Sequence, residues 1–294
     1  MKQKVLVILG PTASGKSDLA VKLAKKFKGE IISADSRQVY RGLNIGAGKV
    51  TRKEMGGIPH YLLDVADPKK PFSAAQYKAL AENSLKDIAL RNRLPIVVGG
   101  TGFYIDALAD TVSLPEVGPN PKLRERLEKK SAEALFKLLE KKDPKRAGAI
   151  DPNNKVRLIR ALEIVEALGK VPPLGDRVSK WAFTYIGVKP DDLDSRIQKR
   201  LVKRLPGMIR EAKKLIKLRK LSYKRMHELG LEYRYVALYL QGKLNKLDMF
   251  NKLNKEIRQY SRRQMQWFKR NKKIEWFKPE EYKEIEKYAR DMLR

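Results

Sequence analysis

The segment Gly10–Ser17 has the spacing of a loop that binds phosphate. Its residues, Gly-Pro-Thr-Ala-Ser-Gly-Lys-Ser, fit the pattern G-x-x-x-x-G-K-[ST] and lie between an apolar run and a helical stretch. In such a loop backbone N–H groups turn toward a phosphate, the lysine adds positive charge, and the last hydroxyl suits Mg²⁺. The pattern predicts that a diphosphate or triphosphate binds to Gly10, Pro11, Thr12, Ala13, Ser14, Gly15, Lys16 and Ser17, with the metal on Ser17.

Polar residues also follow the predicted strands that come after this loop. Phosphoryl-transfer enzymes with such loops usually carry an acidic residue for Mg²⁺ at the end of a neighbouring strand, but the strand 96–98 ends in Gly99-Gly-Thr101. The strand-end acid close by is Asp35, which we expect to face the loop because strand ends of an open α/β sheet face the ligand crevice. The residues leave three roles open for Asp35: a metal ligand, a base acting on a substrate nucleophile, and a helix N-cap.

The phosphate loop and Asp35 can form one site only if a sheet brings the ends of their strands to the same edge. In the first hundred residues short apolar runs alternate with helical stretches, which predicts an α/β fold: a parallel-sheet core built around the phosphate loop, with covering helices. The predicted strands and helices are Lys4–Leu9, Lys16–Phe27 (helix), Glu30–Ala34, Ala74–Arg91 (helix), Pro95–Val98 and Ala182–Val188.

Two stretches rich in proline and glycine, 114–121 and 171–175, divide the chain. Residues 122–168 between them have a helical pattern. We therefore expect a core formed by residues 1–115 and 181–294, with a helical insertion domain at 116–180. The part of the chain after the returning strand is expected to be helical to its end.

The charge of the chain predicts a polyanionic partner. Sixty-five Lys and Arg residues against 34 Asp and Glu residues give a net charge of +31, and within 196–273 the ratio is 25 to 5. The alternative is that basic residues simply cover solvated helix faces. The absence of cysteine excludes disulfides, Cys-ligated zinc and thiol nucleophiles and fits a cytoplasmic protein. No apolar run approaches the roughly 20 residues of a membrane span, so no membrane contact is expected.

Eight blocks in order along the chain resemble the tRNA isopentenyltransferase (tRNA dimethylallyltransferase) family, bacterial type. They are Gly10–Ser17, Asp35–Tyr40, Asn44–Gly46, Pro59–Asp64, Val98–Tyr104, Asp151–Glu163, Tyr239–Gly242 and Arg258–Trp267. The resemblance implies a fold similar to that of P-loop kinases. It also implies transfer of a dimethylallyl group from dimethylallyl diphosphate to N6 of adenosine 37, in the anticodon stem-loop of tRNA, with Mg²⁺ and no obligate protein partner.

The resemblance implies roles for individual residues. The loop would hold the departing diphosphate, with Lys16 and Mg²⁺ on Ser17 stabilising its charge, and Thr101 would hydrogen-bond near the bridging oxygen. Asp35 would accept a proton from the adenine amine, and the target base would be flipped out of its stack. The expected tRNA contacts are Asp35, Ser36, Arg37, Gln38, Thr101, Arg124, Val156, Arg157, Arg160, Arg258, Arg262 and Gln264.

Other residues carry weaker expectations. Arg225 lies several residues from the position at which the family has a diphosphate-contacting arginine, so it is either that ligand or a solvated turn arginine. Leu253, Ile257, Tyr260, Gln264 and Trp267 recur at helical spacing and are expected to form core, with the amide of Gln264 bonded near the phosphate loop or Asp35. The cationic residues Arg196, Lys199, Arg200, Lys203 and Arg204 either face tRNA or solvent. His60 and His227 are expected to pack or hydrogen-bond.

Three other functions compete with tRNA prenylation. A small-molecule kinase would explain the phosphate loop but not the Arg157 and Arg160 block or the basic C-terminal third. Prenyl transfer to free adenine nucleotides would not require a long positive surface. A basic RNA-binding protein without catalytic activity would leave the phosphate loop unused.

Overall fold

The structure, a computed structural model, describes residues 2–112, 114–172 and 179–294. The chain forms two compact units, one of Met1–Ala109 with Ser179–Arg294 and one of Asp110–Val178. Of the break expected at 171–175, residues 173–175 lie outside the described residues.

A parallel sheet forms the centre of the first unit, with the strand order β3-β2-β4-β1-β5-β6. Its register places Val7 of the central strand opposite Val97 on one side and Tyr185 on the other. The strands in the described residues are β1 (Gln3–Leu9), β2 (Gly29–Ser33), β3 (His60–Tyr61), β4 (Leu94–Gly99), β5 (Trp181–Val188) and β6 (Ile274–Phe277).

Helices cover both faces of the sheet and build the second unit. Those in the described residues are α1 (Lys16–Lys26), α2 (Arg52–Met55), α3 (Ala74–Leu90), α4 (Gly102–Leu108), α5 (Pro121–Glu128), α6 (Ala132–Lys142), α7 (Pro144–Ala147), α8 (Lys155–Leu168), α9 (Leu193–Lys217), α10 (Tyr223–Leu229), α11 (Leu231–Leu240), α12 (Lys246–Phe268) and α13 (Tyr282–Leu293). None of them is both long and apolar enough to cross a membrane.

The central strand β1 shows why this sheet forms. Its run Val-Leu-Val-Ile-Leu is fully buried, as expected for a parallel strand covered on both faces. Val5, Val7 and Leu9 point into one hydrophobic cluster, which also contains α3, α9 and α12, whereas Leu6 and Ile8 point into a second cluster with α1 and α13. The expected α/β class with a parallel sheet is therefore confirmed, including the return of the chain to the sheet as β5.

The expectation that the C-terminal part is helical to its end is wrong at one place. Ile274–Phe277 forms β6, which pairs in parallel with β5 from Tyr185 to Val188. The reason is tertiary: four residues in a strongly charged stretch carry little local pattern, and the exposed edge of β5 provides the backbone partners.

The second unit is helical and has its own core. Leucines of α5, α6 and α8 pack together, among them Leu127, Leu135, Leu139 and Leu158. Two of its helices begin at side-chain caps: Asp143 accepts from the N–H of Arg146 at α7, and Asn154 accepts from the N–H of Arg157 at α8.

Candidate active site

A cavity of about 170 Å³ opens where β1, β2 and β4 end. It is lined by the phosphate loop, by 35–38 after β2, by Gly99 and Gly100 after β4, and by side chains of α9 and α12. This is the crevice at the carboxyl ends of parallel strands, where open α/β sheets bind ligands. The structure thus brings together the two blocks of the sequence that lie 65 residues apart at Ser36 and Thr101.

The phosphate loop ends at α1, so the N-terminal end of this helix points its free N–H groups into the loop. The Nζ of Lys16 donates to the carbonyl oxygen of Pro11 at 3.1 Å. Burial, and then the nearby charge of Arg200, lower the pKa of Lys16 to about 8, although Asp35 acts in the opposite direction. A bound anion would compensate this buried positive charge.

Gln264 connects the phosphate loop to the end of β4. Its Oε1 accepts from the N–H of Thr12 at 2.9 Å, and its Nε2 donates to the carbonyl oxygen of Gly100 at 2.8 Å. A Cβ at Gly100 would collide with this amide, so the site requires glycine there. The amide was expected near the loop, and it is there. Gln264 is buried with both ends of its amide bonded to backbone, and it lines the cavity; its contact with tRNA stays a prediction.

Asp35 is fixed by the turn that follows it. Its Oδ1 accepts from the N–H groups of Arg37 at 2.8 Å and Gln38 at 3.2 Å. Both bonds use the same oxygen, so they orient the carboxylate while Asp35 lines the cavity. The sequence left a helix N-cap open as one role of Asp35. Asp35 instead caps the turn 36–39, and its other oxygen is left for the metal or base role, which stays a prediction.

Thr101 and Tyr260 lie next to Asp35. The N–H of Ser36 donates to Oγ1 of Thr101 at 3.0 Å, and Tyr260 lines the cavity near Asp35. Burial, assisted by the charge of Asp35, raises the pKa of Tyr260 to about 12, so the phenol remains protonated. Tyr260 was expected to be core. It is instead half-buried with its side chain at the cavity wall.

Two arginines of α9, Arg200 and Arg204, enter the cavity. Arg200 donates to Oγ1 of Thr12 at 3.4 Å and to the carbonyl oxygen of Gly48 at 3.4 Å. Arg204 donates to the carbonyl oxygens of Ile45 and Gly46 and lies 3.9 Å from the carboxylate of Glu232. Burial and the charge of Arg204 lower the pKa of Arg200.

The sequence did not single out these two arginines from their cationic neighbours. A signal was present: Arg200 and Arg204 directly precede Leu201 and Leu205, which are buried on the apolar face of α9. Arg196, Lys199 and Lys203 have no place in the cavity wall. A cation next to the apolar stripe of a helix lies at the edge of the buried face, so its position predicts a contact with the rest of the protein.

Arg225 has a different place from the one expected of a diphosphate ligand. Its guanidinium donates to the carbonyl oxygens of Pro68 and Lys70, pairs with Glu228 and stacks on the ring of Tyr40. It is not part of the cavity wall. Arg225 thus joins α10 to the loop before α3, and a diphosphate contact of this residue stays a prediction. Arg200 and Arg204 bring two further cations into the cavity beside Lys16 and Arg37.

The expected tRNA contacts of the helical unit divide into two groups. Arg124 and Arg160 both donate to the carboxylate of Glu163, with Arg124 in a two-pronged pair at 2.7 Å for each bond. Burial alone would raise the pKa of Glu163, but the bonds from Arg124 and from the N–H of Asn120 outweigh it and lower the pKa. Arg157 and Val156 are exposed. The tRNA contacts of these residues stay predictions.

The remaining site residues lie in the first unit. Arg258 bonds to Gln198 and lies 3.7 Å from Asp194, so it links α12 to α9, whereas Arg262 is exposed. His60 lines the cavity, and its Nδ1 bonds to the carbonyl oxygen of Ile58. In the part of the chain that the structure describes, no three His, Asp or Glu side chains form a cluster that could hold a metal by themselves.

Comparison with known proteins points to one family. A family model described as IPP transferase matches residues 38–271. The tRNA dimethylallyltransferases of Thermoanaerobacter sp. (strain X514) and Bacillus subtilis (strain 168) are each 36% identical to this chain, over 100% and 94% of it and over 98% and 91% of their own lengths.

Solved structures agree with this result. The full-length tRNA isopentenylpyrophosphate transferase of Bacillus halodurans has a TM-score of 0.74 at 36% identity, covering 99% of this chain and 97% of that chain. A eukaryotic dimethylallyltransferase acting on tRNA has a TM-score of 0.81 at 28% identity, covering 94% of this chain and 74% of that chain.

Proposed function

This chain belongs to the IPP transferase family, and from that premise we propose that it transfers a dimethylallyl group from dimethylallyl diphosphate to N6 of adenosine 37 in tRNA. The observation that carries the proposal is the pairing, in one cavity, of an anion-binding end with a fixed carboxylate. Lys16, Arg200 and the N-terminus of α1 form the first, and Asp35 is the second.

The anion-binding end suits the leaving group of prenyl transfer. As the bond between the prenyl carbon and the bridging oxygen breaks, negative charge grows on the diphosphate. Lys16 and Arg200 are cations whose pKa values burial has lowered. A developing anion offsets this penalty, so these side chains stabilise the transition state through charges that are already in place.

Asp35 suits the nucleophile. The lone pair of an adenine amine is delocalised into the ring, so the amine attacks poorly until a base accepts its proton. In the proposed step the N6–carbon bond forms, the carbon–oxygen bond of the donor breaks, and the amine proton passes to Asp35 while diphosphate leaves. General bases of this kind typically contribute about 10²–10⁴ in rate.

Thr101 and Tyr260 support this geometry. The hydroxyl of Thr101 accepts from the N–H of Ser36, which adjoins Asp35. We assign Thr101 to the bridging oxygen of the donor, as the family resemblance implies, because this bond holds its hydroxyl next to the proposed base. Tyr260 lines the cavity as a protonated phenol near Asp35.

Mg²⁺ fits the donors of the cavity. Ser17 offers a hydroxyl and Asp35 a carboxylate, which are hard oxygen ligands, and Mg²⁺ is commonly held by one or two side chains together with substrate phosphates and water. Ser17 would hold the metal when it arrives with the diphosphate. When bound, Mg²⁺ supplies further positive charge next to the leaving group.

Positive charge supports tRNA as the acceptor. Residues 196–273 contain 25 basic and 5 acidic residues, and this excess of positive charge would attract the phosphate backbone of a tRNA. A mononucleotide acceptor would not require so long a positive surface. A kinase reaction is disfavoured because β4 ends at Gly99 and is followed by Gly100 and Thr101. A phosphoryl-transfer site usually places an acidic residue at this point.

One experiment tests the proposal against these alternatives. The protein is incubated with radiolabelled dimethylallyl diphosphate and Mg²⁺, in parallel with tRNA, AMP or ATP. Label in tRNA alone is the expected result, and nuclease digestion should then place it on a single adenosine. Label in AMP or ATP would instead favour free nucleotides as acceptors. Transfer of γ-phosphate from ATP to a small molecule, without labelled tRNA, would overturn the proposal.

A further inference from the structure

Glu211 on α9 binds the loop 44–48 through three consecutive backbone groups. Its Oε2 accepts from the N–H groups of Asn44 at 3.0 Å and Ile45 at 2.7 Å, and its Oε1 accepts from the N–H of Gly46 at 2.9 Å. The phenol of Tyr233 donates to Oε1 at 2.8 Å. Four donors on one carboxylate make this the most heavily bonded acid among the described residues of the first unit. They fix both the position and the orientation of the loop.

The carbonyl oxygens of the same loop bind the two arginines of the cavity. Ile45 and Gly46 accept from Arg204, and Gly48 accepts from Arg200. Gly48 also accepts from Nε2 of Gln38, three residues after Asp35. The loop therefore lies between Glu211 on its N–H side and the cations of the cavity on its carbonyl side.

The loop has little freedom to move between these contacts. A Cβ at Gly46 would lie 2.5 Å from the ring of Tyr233, and a Cβ at Gly48, whose φ is 59°, would lie 2.6 Å from the guanidinium of Arg200. Glycine suits both positions because the side chains of Tyr233 and Arg200 lie where a Cβ would stand. The carbonyl oxygens are thus held at fixed points by packing as well as by Glu211.

Arg200 and Arg204 need such an anchor. Each is a cation beside another cation, and Arg204 is a cause of the lowered pKa of Arg200. The neutral oxygens that bind Arg200 orient its guanidinium without cancelling its charge, whereas Arg204 also lies 3.9 Å from the carboxylate of Glu232. If the loop shifted, the two side chains would separate and Arg200 would leave Thr12 of the phosphate loop.

We propose that Glu211 is a positioning residue for the diphosphate, acting through the loop 44–48 on Arg200 and Arg204. It is not in the wall of the active-site cavity and does not touch the substrate itself. The inference rests on the proposed function for its catalytic meaning. Its direct consequence is for pyrophosphate binding, which can be measured without any transfer reaction.

The test is the variant Glu211→Gln, in which the amide offers one acceptor oxygen where the carboxylate offered two. We expect the calorimetric Kd for pyrophosphate and the KM for dimethylallyl diphosphate to rise about tenfold, with kcat changed less than about threefold. The matched control Glu286→Gln removes a carboxylate that pairs with Lys26 and Arg290 on the surface, and it should leave both constants unchanged.

A double-mutant cycle separates positioning from general structural loss. If Glu211 acts through Arg204, the effect of Glu211→Gln on the pyrophosphate Kd should shrink to about twofold or less in an Arg204→Met background. Full additivity of the two changes, or a wild-type Kd in Glu211→Gln, would overturn the proposal. Should Glu211→Gln fail to fold, Tyr233→Phe removes a single bond to Glu211 and must still raise the Kd; an unchanged Kd there would overturn it equally.

The outcomes also distinguish this inference from the proposed function. A wild-type protein that binds pyrophosphate but prenylates no tRNA would contradict the proposed function and leave the cycle interpretable. A wild-type protein that prenylates tRNA, together with a Glu211→Gln variant of unaltered Kd and KM, would contradict the role of Glu211 alone.

Discussion

Arg200 of the cavity and the two arginines of the helical unit, Arg124 and Arg160, have opposite kinds of partner. In the helical unit Arg124 and Arg160 share the buried carboxylate of Glu163, so their charges are largely neutralised where they lie. In the cavity Arg200 is held by a hydroxyl and a carbonyl oxygen, which leave its charge intact. The first arrangement stabilises a fold, whereas the second keeps a cation available for an anion.

The difference shows that the number of basic residues in a segment does not reveal which of them act. Both regions are rich in arginine, and both pairs lie on helices beside apolar residues. What distinguishes them is the group that the tertiary structure places opposite each guanidinium. A buried carboxylate turns an arginine into a structural residue, and neutral oxygens turn it into an anion ligand.

The largest expected effect tests whether the carboxylate of Asp35, which lines the cavity beside its cations, serves chemistry rather than pairing. Asp35→Asn keeps an oxygen to accept from Arg37 and Gln38, so the turn should survive. We expect kcat for tRNA prenylation to fall about 10²–10⁴-fold, with the Kd for pyrophosphate within a factor of about two of wild type. An equal loss in both constants would instead make Asp35 a binding residue.

Arg200→Met tests the cavity side of the comparison. We expect pyrophosphate affinity to fall about 10–100-fold, because a hydrogen bond to a charged group contributes about 1.5–3 kcal/mol. The thermal stability of the free protein should not decrease, since the variant removes a buried charge that bonds to no carboxylate among the residues that the structure describes. A lower melting temperature with unchanged affinity would show that Arg200 is structural.

Glu163→Gln tests the arginines of the helical unit. The change removes the shared carboxylate of Arg124 and Arg160, and we expect the helical unit to lose about 2 kcal/mol of stability, less than for a fully buried pair because both arginines are partly exposed. Hydrogen exchange along α8 measures the loss locally. Pyrophosphate affinity should not change. If the α8 amides of the Glu163→Gln variant exchange as slowly as those of the wild type, Glu163 and its two arginines do not contribute to the stability of the helical unit.

The smallest expected effect is a pH dependence that belongs to the cavity alone. Lys16 has a pKa lowered to about 8 in the free protein, and an anion beside it must raise that pKa. Binding of dimethylallyl diphosphate therefore takes up a proton above pH 8, so affinity should fall as pH rises, by at most about tenfold per pH unit.

Arg200→Met provides the control for this profile. The charge of Arg200 is one cause of the lowered pKa of Lys16, so its removal should move the decline to higher pH. A profile that stays in place in the variant, or an affinity that is flat from pH 7 to pH 10 in the wild type, would show that Lys16 does not control it.

The sequence determined the parts of this protein that depend on short-range pattern. Gly10–Ser17 predicted a phosphate loop because its spacing dictates the backbone between a strand and a helix. The fully apolar run of β1 predicted a buried strand in a parallel sheet, and eight ordered blocks predicted the family. The place of Asp35 at a cavity also followed, since strand ends of a parallel sheet share one edge.

Only the tertiary structure decided which cations enter the cavity and which residues hold them. Arg225 resembled a ligand in sequence but is bonded to the loop before α3. The position of Arg200 and Arg204 beside the apolar face of α9 set them apart from their neighbours, but only the loop 44–48 shows what holds them. The strand β6 likewise formed because the edge of β5 was there to pair with it. The physical reason is common to all three: the charge and backbone partners of a residue come from segments far away in sequence, and no local pattern encodes them.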